Sequence, residues 1–148
     1  MIALSSIEKL DLLPRLFSEL CVVPEVVEEC SVGGSIGVPD LSGLPWVRVV
    51  QSSPGIQSHF LLELDKGEKY TIHTACAVEA DMVIIDERIG RNVAEYLGLS
   101  VIGTLGILLN AKQKGLIQSF SDCVKRMQEN GLRYHPLLIE RLIAESGE

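Results

Sequence analysis

The sequence predicts an α/β fold of three layers, with helices on both sides of a central parallel sheet. Two observations carry this. Short apolar runs alternate with stretches of helical periodicity through residues 67–148, the pattern of strand–helix units. One of these runs, Met82-Val83-Ile84-Ile85, is apolar at every position and stops abruptly at Asp86, as expected of a strand covered on both faces. At 148 residues the chain suits a single domain spanning 1–148 with a core of its own.

Taken in order, Ser5 or Ser6 can cap a short helix carrying Ile7 and Leu10 inward, and Pro14 begins another turn with Leu16, Phe17 and Leu20 as its apolar side. Leu20 to Val23 is β-prone, and Pro24 suits the first turn of a helix running to about Glu29. Residues 31–45 combine four glycines with two prolines and read as a loop inside the domain. Trp46 to Val50 reads as a buried strand. Residues 67–79 are helical, with Ile72, Ala75, Cys76 and Glu79 on one side. After the run ending at Asp86, a helix from about Arg88 to Leu97 closes at Gly98. Ser100 to Ile102 is a short strand, and Thr104 can cap a helix that ends at Gly115. A helix from near Ser119 presents Phe120, Cys123, Val124 and Met127 on one face and stops at Gly131. Pro136 opens the last, with Leu138, Leu142 and Ile143 inward.

Composition narrows the function. Aromatic residues make up 5% of the chain, too few for a single-strand binder built on stacking platforms. Cys21, Cys30, Cys76 and Cys123 form no CxxC pair, and His59, His73 and His135 are equally scattered, so a zinc site is not expected. The thiols read as reduced and partly buried, as in a cytoplasmic protein. No apolar run approaches the roughly 20 residues that span a bilayer, and the N-terminus lacks signal-peptide character, so no membrane association is expected. The net charge is −7, unevenly spread. Residues 1–65 carry three basic and nine acidic side chains, whereas 66–148 carry ten and eleven, so an anion-facing surface belongs to the second half.

Chemistry in parallel sheets collects at the carboxyl ends of strands. Asp86 sits at such an end and Glu87 follows it. Glu68 shares a helical side with Ile72, Ala75 and Cys76, because steps of four, seven and eight residues return to one face. A carboxylate on the inner side of a helix needs a partner or a cation. Glu68 and Asp86 converging at a strand end would make a Mg²⁺ or Mn²⁺ site, since hard cations take oxygen ligands. Arg88 and Arg91 lie one helical turn apart beside Asp86 and could contact phosphates, and the Gly103-Thr104 turn could hold a phosphate oxygen. The same residues have plainer uses: Glu68 as a first-turn acid, Asp86 and Thr104 as helix caps, the arginines as partners of Glu87 and Glu95.

The stretch ADMVIIDERIGRNVAEYLGLSVIGTLGILLNAKQKGLI, residues 80–117, resembles a branch of prokaryotic PIN-domain proteins. The branch shows an acidic strand end, an arginine-bearing helix, a Gly-Thr-Leu-Gly turn, an Ala-Lys helix and Gly-Leu-Ile. LDKGEKYTI, EKLDLLPRLFSELCVVPEVVEE and NGLRYHPLLIERLIAESGE are similar to further parts of it, so the resemblance covers nearly the whole chain. It implies a three-layer fold around a parallel sheet and a Mg²⁺- or Mn²⁺-dependent ribonuclease of the toxin type, paired with an antitoxin. It also implies an acidic pocket of Glu68, Asp86 and Glu87. Two departures stand out. The family's first strand, with its Asp or Asn, has no counterpart ahead of Met1-Ile2-Ala3-Leu4, and Tyr70 stands where relatives often carry a second helix acid. A start placed too late, a rearranged sheet, or dimerisation that fills the vacancy would each accommodate the first.

Three functions follow as expectations. The first is a metal-dependent endoribonuclease in which Glu68 and Asp86 hold the ion, Glu87 positions water, and Arg88, Arg91 and Thr104 contact phosphate. The second is a catalytically degenerate interaction module that binds an antitoxin or a second copy of itself as a homodimer. The third, a nucleotide-type ligand protein, lacks any GxxxxGK[ST] or GxGxxG run.

Overall fold

A computed structural model describes residues 1–32, 34–53 and 64–148. The chain is α/β and divides into two compact units, Met1–Ser18 with Gly33–Val38 and Thr104–Glu148, and Glu19–Val32 with Pro39–Gly103.

The first unit is helical. It comprises α1 (Ile2–Ser5), α2 (Leu12–Leu16), α6 (Thr104–Gln113), α7 (Phe120–Glu129) and α8 (Pro136–Ser146). Helix α6 packs against α2, α7 and α8. Leu4, Ile7, Leu12, Leu13, Ile107, Leu108, Phe120, Val124 and Met127 are all buried to 2% exposure or less. The N-terminus of α7 is doubly capped. Ser119 accepts from the Asp122 amide at 3.0 Å, and the Glu148 carboxylate accepts from the Phe120 and Ser121 amides at 2.7 and 3.0 Å. Lys112 pairs with the same carboxylate at 2.9 Å. The serine and lysine bonds hold the Glu148 acidity well below the usual carboxylate range, because every partner favours the charged form.

The second unit holds the strands. Here β1 (Leu20–Val22) leads into α3 (Pro24–Val32), a short 3₁₀ turn at Leu41–Gly43, and β2 (Val47–Val49). There follow α4 (Lys66–Ala77), β3 (Val83–Ile84), α5 (Arg88–Tyr96) and β4 (Val101–Ile102). Both ladders are parallel. Leu20 pairs with Val47 and Val22 with Val49, while Val83 pairs with Val101 and Ile84 with Ile102. Among the described residues, each ladder has two strands. Beneath the second, Ile72 and Ala75 of α4 and Ala94 of α5 form a core with Val83 and Ile85. Helix α5 stops at Gly98, whose φ of +85° only glycine adopts without strain, so that the Leu99 amide reaches back to the Ala94 carbonyl at 3.0 Å. Gly115 and Gly131 end α6 and α7 in the same way.

Several local expectations are corrected. Ser5 ends α1 instead of opening a helix, and the inward residues there are Ala3, Leu4 and Ile7. Helix α2 starts at Leu12, two residues before Pro14, which turns Leu12 and Leu13 inward and leaves Leu16 and Phe17 half-buried. Residues 47–49 form a strand, but one that is not buried, with Val49 41% exposed. Met82 is 43% exposed and Ile84 half-buried, so only Val83 and Ile85 face a core, and β3 alternates as a half-covered strand does. On α4 the buried side is Gly67, Ile72, Thr74 and Ala75, with Cys76 and Glu79 exposed. Leu138 on α8 is 43% exposed and Leu142 and Ile143 only half-buried. All four cysteines are free thiols, of which Cys21 and Cys76 are exposed, Cys30 half-buried and Cys123 buried. His59 lies outside the described residues, as does Gly33 of the 31–45 loop. Among the described residues, no helix is long and apolar enough to cross a membrane.

Candidate acidic site

The site is assembled in the second unit, where three helices meet the end of β3. Asp65 is the N-cap of α4 and accepts from the Glu68 amide at 2.7 Å, so the LDKGE segment fixes Glu68 in the first helical turn. The Glu68 carboxylate then lies against α5. A Cβ on Gly90 would stand 2.9 Å from its Oε2, so only glycine leaves room for it there. On the other side, a Cβ on Gly67 would stand 2.5 Å from Glu29 Oε2 at the end of α3 and 3.5 Å from Asp65 Oδ1. Glycines thus let backbone approach acid at two points.

The electrostatics follow from that crowding. Burial, then the charges of Asp65, Glu87, Glu29 and Asp86, push the Glu68 carboxyl up to about 7. Burial together with Asp65 and Glu87 also raises Glu29.

At the tip of β3, Asp86 and Glu87 are exposed. The N-cap position of α5 is Glu87, whose side chain makes no capping bond. A Cβ on Gly103 would lie 3.0 Å from Asp86 Oδ1 and 3.0 Å from Arg91 Nη1. Arg91 donates from that nitrogen to the Ile85 carbonyl at 3.1 Å. Arg88 is exposed. Thr104 opens α6 and is 1% exposed, which leaves its hydroxyl far less open to an anion than the Arg88 guanidinium.

Glu68, Asp86 and Glu87 share one electrostatic neighbourhood with Glu29 and Asp65. Among the described residues no three Asp, Glu, His or Cys side chains close around a single point in the manner of a metal cage. A hydrated divalent ion asks for less, since Mg²⁺ keeps several waters beside one or two carboxylates. Glu68, packed against Gly90 with Asp65, Glu87, Glu29 and Asp86 as neighbouring charges, offers the oxygen donors that such an ion would take. Glu29 escaped the sequence reading because Glu25, Glu28 and Glu29 together look like a solvated helix face. The one available signal was Gly67 inside LDKGE, a small residue that admits a neighbouring side chain.

A protein-family model described as a PIN domain matches residues 1–148, and the chain belongs to that family. Comparison with curated proteins and with solved structures returned no match. PIN domains are nuclease-type folds, generally dependent on a metal ion.

Proposed function

We propose that the chain is a Mg²⁺- or Mn²⁺-dependent endoribonuclease of the toxin–antitoxin type, acting in the cytoplasm on RNA phosphodiester bonds. The observation that carries the reading is Glu68, a carboxyl lifted to about 7 by burial and then by four neighbouring acids within a PIN-family chain. Glu68 and Asp86 would hold the ion, with Glu29 at hand as a further acid. A bound ion of this kind acidifies a water and stabilises charge on the phosphate. Glu87 would orient that water, and Arg88, the exposed one of the three candidate phosphate contacts, would face the substrate.

A second reading keeps the fold and drops the chemistry. In it the chain is a degenerate interaction module that binds an antitoxin or a second copy as a homodimer. It is supported by the absence, among the described residues, of a three-ligand cage, and by apolar groups left outside, notably Leu137 at 68% exposure and Leu138 at 43% on α8.

Paramagnetic broadening separates the two. On titrating ¹⁵N-labelled protein with Mn²⁺, the amides of 65–69 and 86–88 should broaden first and recover with EDTA. Broadening spread evenly over distant acids such as Asp122, Glu140 and Glu145 would sink the metal reading.

A further inference from the structure

Arg91, a candidate phosphate contact, is half-buried, and its surroundings suggest another use. Its Nη1 donates to the carbonyl of Ile85, the residue between β3 and Asp86. The same nitrogen and Asp86 Oδ1 each lie 3.0 Å from the point where a Gly103 Cβ would stand, with the Ile85 carbonyl 3.5 Å from it. Gly103 follows β4, and the Ile85 amide donates to the Ile102 carbonyl at 3.0 Å. The guanidinium thus holds the carbonyl at the end of the ladder, and a side chain at Gly103 would crowd both it and the Asp86 carboxylate. Arg91 reaches this place because it lies on the second turn of α5, is half-buried, and carries a planar fork with several donors in fixed directions.

We propose that Arg91 is a positioning residue: by holding the Ile85 carbonyl it fixes the β3 tip from which Asp86 departs, with Gly103 as the gap that admits it. This rests on the reading of Asp86 as a metal ligand. It differs from a phosphate contact in what it controls: the geometry of a ligand carboxylate rather than attraction to RNA. Groups that orient ligands in this way typically matter about 10–100-fold to metal affinity.

Arg91→Met and Arg91→Lys are compared with wild type by two measurements. In a calorimetric Mn²⁺ titration, Arg91→Met should bind about 10–100-fold more weakly, with Arg91→Lys between, because an ammonium on a flexible stem holds the Ile85 carbonyl less firmly than a planar guanidinium does. Unchanged Mn²⁺ affinity in Arg91→Met overturns the proposal. So does an RNA affinity that falls in Mn²⁺-free buffer while Mn²⁺ affinity holds, the signature of a phosphate contact. The second measurement needs no metal. Hydrogen exchange at the Ile85 amide should quicken about tenfold in Arg91→Met while the α7 amides keep their protection. Unchanged exchange at Ile85 overturns the proposal. Wild-type protein that binds no Mn²⁺ would remove the metal reading of Asp86, and with it the positioning role, whatever the exchange shows.

Discussion

Asp86→Asn should lower Mn²⁺-dependent RNA cleavage by at least about 100-fold and leave the fold intact. Asparagine keeps the size and shape of the side chain but removes the negative charge that a hard cation requires. Asp86 is exposed at the end of β3, so the exchange creates no cavity, and thermal unfolding should stay within about 0.5 kcal/mol of wild type. The substitution has a second, metal-independent signature. Because the Asp86 charge is one of those that raise Glu68, its removal should let Glu68 ionise at lower pH. A variant that cleaves RNA as wild type does would show that Asp86 is not part of the chemistry.

The next largest effect belongs to Glu68 itself, read as stability against pH. Its carboxyl titrates near 7 in the folded chain and near 4.5 when free, so the folded state binds the extra proton. The associated stability is fully present below about pH 4.5 and is lost as pH rises through 7. Glu68 is only half-buried, and solvent screening cuts the effect to about 1–2 kcal/mol. Glu29 is raised as well and adds a decline of the same sign. In EDTA, wild-type protein should therefore lose more stability than Glu68→Gln between pH 5 and pH 8. The difference should be roughly 3–6 °C in melting temperature. Saturating Mn²⁺ at pH 8 should reverse the loss in wild type and leave the variant unmoved. Parallel melting curves for the two proteins across that range would remove the acidic crowding on which the site is built.

Much of the fold is local and could be read directly. The stops at Gly98, Gly115 and Gly131 are single residues with one conformational meaning, and each ends a helix as expected. The β3 run ending at Asp86 and the first-turn position of Glu68 are likewise set by a few neighbours. What the sequence obscured is long-range. Whether Met82 and Ile84 are covered depends on which elements lie over β3, and no periodicity within a four-residue run can say. Helix α2 ends at Leu16 with Phe17 already extended, so Leu12 and Leu13 at its start enter the core while Leu16 and Phe17, one turn on, stay half-buried. Glu29 and Glu68 are far apart in sequence, and only the packing of α3 on α4 brings them together. Gly67, Gly90 and Gly103 carry no side chain to signal a role, and their contribution is the space each leaves for an acid or, at Gly103, for Arg91 as well.

The central claim is that these carboxylates make a metal-dependent nuclease. The most direct measurement is the fate of an end-labelled single-stranded RNA incubated with metal-stripped protein, with and without Mn²⁺. The account predicts internal cleavage products that appear only with the ion and vanish on adding EDTA. Cleavage that persists undiminished in EDTA, or intact RNA at every Mn²⁺ concentration, would contradict it.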